Sequence, residues 1–97
     1  MLYRGQRYGE RVGEWWTTDR DEAVSFGMSR GSNRHYVVLA LDEDDAEWLA
    51  QFLQFDRSGR GGDWYRIPSR ELAKRWHGVK VESGAIGCEL FAKDLKP

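Results

Sequence analysis

The stretch Glu14-Trp15-Trp16-Thr17-Thr18-Asp19-Arg20-Asp21-Glu22-Ala23-Val24-Ser25-Phe26-Gly27 constrains the fold more than any other part of the chain. Two bulky aromatics suit a strand, and the hydroxyls after them suit the point where a strand stops and a helix begins. Thr18 is the expected N-cap. Asp19, Asp21 and Glu22 then put negative charge in the first turn, where the helix dipole favours it, and Ala23, Phe26 and Gly27 fall on one face. A chain of 97 residues has room for one compact core, so this strand, cap and short helix belong to a single domain, 1–97. Aromatic content of 13 %, with five Trp, supplies bulky side chains for that core or for a binding surface.

The same local rules order the rest. Met1 to Gly5 is expected to be the first strand, and Gln6 to Gly13, with its two glycines, a sharp turn. Met28 to Arg34 is a polar loop by composition. Tyr36-Val37-Val38-Leu39-Ala40-Leu41 is continuous apolar material, the pattern of a strand buried on both faces at the centre of a sheet. Asp42 to Phe55 is expected to be a helix capped by Asp42, with Ala46, Leu49, Ala50 and Leu53 facing the core. A second line, Trp48, Phe52 and Phe55, runs beside it; either the sheet curls over this line or it is an exposed aromatic patch for a partner. Asp56 to Gly62 carries three glycines and is expected to be a flexible basic loop. Trp64 to Ile67 is a short strand stopped by Pro68, Ser69 caps a helix through Trp76, and Gly78 ends it. Strands Val79 to Glu82 and Ile86 to Ala92, joined by Ser83-Gly84-Ala85, close the chain as a hairpin.

Leu2-Tyr3-Arg4-Gly5, followed by the Trp-Trp-Thr-Thr strand, the acidic-capped helix with Ala and Phe, and the apolar strand His35 to Leu41, resembles the front half of the ADP-ribosyltransferase fold. The resemblance implies an α+β fold, a compact split antiparallel sheet with about three short helices. It implies that Arg4 holds the dinucleotide NAD, with Gly5, Tyr8 and Trp15 beside it, and that Thr17 and Thr18 line the nicotinamide pocket. Tyr8 can stack on a ring there or sit as a partly exposed loop residue.

ADP-ribosyl transfer passes through a positively charged ribose, so its site needs a fixed carboxylate next to that sugar. The family supplies a glutamate on a late strand, often before apolar residues and a proline. Gly62-Asp63-Trp64-Tyr65-Arg66-Ile67-Pro68 looks most like that strand, and aligned on the proline its catalytic position falls on Trp64. An indole cannot stabilise a carbocation by charge. Asp63 is one position away, and neighbours on a strand point to opposite faces, so it serves only if a bulge shifts the register. Glu71, Glu82 and Glu89 are the other acids on late elements. An active enzyme would therefore use Arg4, Thr17, Thr18 and Asp63 or one of those glutamates, with NAD as its cofactor.

Two functions follow. The first is a small binding or inhibitor protein on a degenerate ADP-ribosyltransferase-like scaffold, blocking a host protein or a nucleic-acid-handling complex and needing no cofactor. Small proteins of this build look like those carried by phages, and the anti-CRISPR proteins include an ADP-ribosyltransferase-like member. The alternative is an active NAD-dependent mono-ADP-ribosyltransferase that modifies a protein. Charge layout bears on the first. The formal net charge is −1, yet from Asp42 to Asp56 every charge is negative, whereas Arg57 to Lys80 is mostly basic. Candidate partner-binding residues are Asp44, Asp45, Glu47 and Trp48 on the acidic side and Arg57 and Arg60 on the basic side. A protein partner is favoured over nucleic acid, because no global positive field draws a polyanion. His35, His77 and the lone Cys88 lack metal-ligand spacing, so no metal is expected. The single cysteine, with no apolar spanning run and no leader, suggests a cytoplasmic protein without membrane contact.

Overall fold

The apolar run at residues 36–41 forms an inner strand of a sheet, where continuous burial of Val37 to Leu41 rewards that composition. The computed structural model describes residues 1–7, 10–31 and 35–85, apart from the side chain of Glu43. The fold is α+β, and the described residues form a six-stranded antiparallel sheet and three helices. In chain order the elements are β1 (Tyr3–Arg7), β2 (Trp15–Thr17), α1 (Arg20–Gly31), β3 (Tyr36–Leu41), α2 (Glu43–Leu49), β4 (Gln54–Ser58), β5 (Asp63–Arg66), α3 (Ser69–Lys74) and β6 (Val79–Gly84). Single 3-10 turns follow α2 at Ala50–Phe52 and α3 at Trp76–Gly78. The strand order is β4-β5-β2-β1-β3-β6.

Helix α1 lies on one face of the sheet, over β1 and β3. Gly5 decides how close it comes, because a Cβ there would overlap the carbonyl oxygen of Ala23 and sit 2.7 Å from the backbone nitrogen of Gly27. Ala23, Gly27 and Gly31 recur every four residues and are all buried, so the helix presents its smallest side chains to β1. That contact carries α1 through the stretch expected to be a polar loop from Met28. Strand alternation then sorts the residues. Tyr3, Gly5, Thr17, Val38, Ala40 and Trp64 share the α1 face, since Tyr3 pairs with Thr17 and Ala40, Gly5 with Val38, and Thr17 with Trp64. Leu2, Trp16, Val37, Leu39 and Leu41 face the other way and form the main core with Leu49 of α2, Ile67 and Leu72 of α3.

Several local expectations give way to tertiary partners. The N-cap of α1 is Asp19 rather than Thr18: Asp19 Oδ1 accepts the N–H of Asp21 at 3.0 Å, while the Thr18 hydroxyl accepts the N–H of Asp63 at 3.1 Å. Strand β1 continues past Gly5 to Arg7, because β3 pairs with it residue by residue as far as Tyr36. The long helix expected to Phe55 ends at Leu49, and Gln54–Ser58 is instead an edge strand whose ladder to β5 supplies its backbone partners. Its five exposed residues carry no apolar alternation from which a strand could be read. The second aromatic line is accordingly broken: Trp48 and Phe52 touch at 4.9 Å, while Phe55 sits on β4 against Tyr65 at 5.8 Å. Ser83 and Gly84 extend β6, and the strand expected at Ile86 to Ala92 lies outside the described residues.

Helix α3 is shorter than expected, and Ser69 does not cap it. Instead both its N–H (2.8 Å) and its hydroxyl (3.0 Å) donate to Glu14 Oε2, while Glu14 Oε1 accepts Arg66 Nε at 2.9 Å. The Ser69 N–H above all, against the opposing pull of burial, holds the Glu14 carboxyl below its ordinary value of 4.5. The folded state therefore binds this proton less readily than the unfolded chain, and the stabilisation is present above pH 4.5 and lost as pH falls through the folded value. Glu14→Gln is expected to flatten the acid side of a urea-unfolding profile as pH falls below 4.5. A slope identical to the parent's would remove Glu14 from that role.

Candidate functional site

Arg4 is where the resemblance places the dinucleotide, and the structure surrounds it with its own chain. It is 7 % exposed, on the face opposite α1. Strands β1 and β2 are joined by a single residue pair, Tyr3 with Thr17, so they splay beyond it. The guanidinium crosses that gap through Nη1, which donates to the carbonyl of Trp15 at 3.0 Å, while Nε donates along β1 to Gln6 Oε1 at 2.9 Å. Gln6 in turn donates to the carbonyl of Glu10 at 3.0 Å. Gly13 lies close beside it: a Cβ there would stand 2.5 Å from Arg4 Nη2, so the guanidinium would have to shift. Burial lowers the Arg4 pKa to about 10, against the opposing charge of Glu10, so the group stays protonated at neutral pH.

The other expected site residues separate around it. Gly5 packs on α1 and Thr17, fully buried, lies on the α1 face, opposite in direction to Arg4. The Thr17 hydroxyl accepts the N–H of Asp19 at 3.1 Å and that of Thr18 is taken by Asp63. Trp15 is 42 % exposed on the α1 face, and Tyr8 lies outside the described residues. Strand β5 runs in regular register against β2, Trp15 with Arg66, Trp16 with Tyr65 and Thr17 with Trp64. The bulge that would turn Asp63 toward Thr17 is absent from this pairing; the irregularity falls on β4, between Phe55 and Arg57. Glu82 is on β6, beyond β3, bound to Arg20 at 2.7 Å and held below its usual range by that hydrogen bond. Glu71 is on α3 beside Lys74, and Glu89 is outside the described residues.

The indole of Trp64 therefore stands directly across from Thr17 and lines a cleft beside α1. This cavity of about 670 Å³ runs between the first turns of α1 and the β4–β5 hairpin. Phe26 meets Trp64 at 5.5 Å, and the Arg57 guanidinium lies 5.3 Å above the indole. The glycines of the hairpin explain its closeness to α1. A Cβ at Gly59 would strike the Glu22 carboxylate, one at Gly61 the Asp19 carboxylate and one at Gly62 the Thr18 hydroxyl. The Arg60 N–H donates to Glu22 Oε1 at 2.5 Å, so the expected flexible loop is tied down. Glu22 was not a candidate from sequence, although a run of glycines is itself a signal that backbone approaches another element closely.

The partner candidates fall at two places. Arg57 and Arg60 flank this cleft, whereas Asp44, Asp45, Glu47 and Trp48 are on α2, beyond the opposite face of the sheet. Asp45 is 6 % exposed, near Arg75 (3.6 Å) and His77 (3.5 Å), and Trp48 carries Arg75 at 4.1 Å above its ring. Among the described residues no group of three or more His, Cys, Asp and Glu is placed to hold a metal, and no helix is long and apolar enough to cross a membrane. No family model, curated protein or solved structure matches the chain.

Proposed function

We propose that this chain is a binding protein that performs no ADP-ribosyl transfer, built on a shortened ADP-ribosyltransferase-like scaffold and acting by blocking a protein partner. The observation that carries the reading is the pairing of Thr17 with Trp64. Transfer from NAD needs a carboxylate where the charged ribose forms, and the late-strand side chain beside the threonine is an indole. Arg4 supports the same reading. Its guanidinium donates to Gln6 and Trp15 and points to the other face, so an NAD phosphate would have to compete with the bond to Trp15 that ties the splayed strands and with the bond to Gln6 within β1.

Calorimetry with NAD is expected to give no binding heat, and labelled NAD incubated with the protein and a cell lysate no labelled product. Label transfer that disappears in Arg4→Ala would replace this reading with the enzyme. Arg4→Met is expected to lower unfolding stability by about 1–3 kcal/mol, because it strands the Gln6 and Trp15 acceptors in the interior. A loss of NAD binding with stability untouched would instead make Arg4 a ligand contact.

A further inference from the structure

We propose that the groove between α2 and the beginning of β1 receives an apolar side chain flanked by lysine or arginine from a protein partner. This surface rests on the reading of the chain as a binding protein and names the chemistry of what is bound.

The acids of the α2 region are of two kinds. Asp42 accepts Lys80 Nζ at 3.1 Å, and Asp45 is buried beside Arg75 and His77 under Gly78, where a Cβ would strike its carboxylate. The fold thus supplies cations to both. Asp44 and Glu47 are exposed, lie on one side of α2 at a spacing of three residues, and have no ion pair among the described residues. They wall a cavity of about 520 Å³ whose floor is Leu2, Ala46 and Leu53, with the half-exposed Met1 at its edge. No basic side chain lines it. Its size suits a few side chains, with apolar contact at the bottom and negative charge at the rim.

Charge complementarity selects the occupant. Nucleic acid and anionic lipid would bring phosphates against two carboxylates, whereas a basic segment gains from both. The cleft beside Arg57 and Arg60 is the contrasting case, because its walls carry both signs.

The test is a titration of isotope-labelled protein with the peptide acetyl-Lys-Leu-Ala-Arg-Leu-Lys-amide, followed by NMR, with acetyl-Glu-Leu-Ala-Glu-Leu-Glu-amide as the reversed-charge probe. The basic peptide is expected to shift the amides of Leu2, Asp44, Glu47 and Leu53 and to weaken as salt is raised. Asp44→Lys with Glu47→Lys is expected to weaken it about tenfold or more and to give the acidic peptide measurable affinity. Both positions are exposed, so the double variant is expected to keep the parent's melting temperature. The proposal is overturned by an absence of shifts, by shifts centred on Arg57 and Arg60, by equal affinity for the two peptides, or by an unchanged response of the double variant. NAD transfer alongside these shifts would discard the non-catalytic reading and leave the groove; silence with both NAD and peptide would discard the groove alone.

Discussion

Gly5→Ala is expected to cost about 3 kcal/mol or more of unfolding stability, the upper end for an added methyl in a packed interior. The new Cβ would overlap the carbonyl oxygen of Ala23 and approach the nitrogen of Gly27. Both are main-chain atoms of α1, so no rotamer change relieves the clash and the whole helix must move off β1. Gly27→Ala, across the same contact, is the control. Its Cβ would meet Gln6 N and Gly5 Cα at 3.3 Å, a tight approach that the strand can relieve by a small shift. Alanine also recovers about 1 kcal/mol of helix propensity there. Urea denaturation of the two variants should therefore separate them clearly. Equal, small losses would mean that α1 is free to slide, and would weaken the assignment of Gly5 to packing rather than to a cofactor.

Trp64→Ala is expected to remove about 3–5 kcal/mol, the usual range for deleting a large aromatic from an interior. The side chain is 5 % exposed, meets Phe26 at 5.5 Å and lies beneath the Arg57 guanidinium. For a domain of this length the melting temperature should fall by about 15 °C or more. Trp64→Phe, which keeps a ring for Phe26 and Arg57, should lose much less. A loss below about 1 kcal/mol for Trp64→Ala would show that the indole rests on the surface and leaves the space across from Thr17 open to a ligand.

These two residues bear on function because of where the sheet puts them. Gly5 and Trp64 share the α1 face with Thr17, while Arg4 points to the other. The residues that carried the resemblance to ADP-ribosyltransferases are thus close along β1 and β2 without forming one open cleft. Thr18 and Asp63 are joined by two hydrogen bonds, Asp63 N–H to the Thr18 hydroxyl and Thr18 N–H to the Asp63 carbonyl, a clasp between β2, β5 and the start of α1. The two arginines expected at a partner surface are at the mixed-charge cleft, and Asp44 and Glu47 are at the acidic groove. Asp45 belongs to the interior.

What could be read from the residues in order is whatever depends on neighbours in the chain. The strand-to-helix passage at Trp15 to Phe26 was legible because aromatic, hydroxyl and acidic residues act on backbone within a few positions. Strand β3 was legible because six apolar residues in succession leave few alternatives. The existence of α2 and α3 followed from their spacing, though not their ends. Beyond that, tertiary contacts decided. Residues 54–58 became a strand because β5 offers a ladder. Glycines 59, 61 and 62 became a tight hairpin because the carboxylates of Asp19 and Glu22 and the hydroxyl of Thr18 lie beneath it. Ser69 lost its capping role to a carboxylate 55 positions away. Arg4 became a buried brace because β1 and β2 splay by an amount that no local pattern encodes. A side chain's direction relative to a distant strand is set by register, and register is settled only when the sheet assembles.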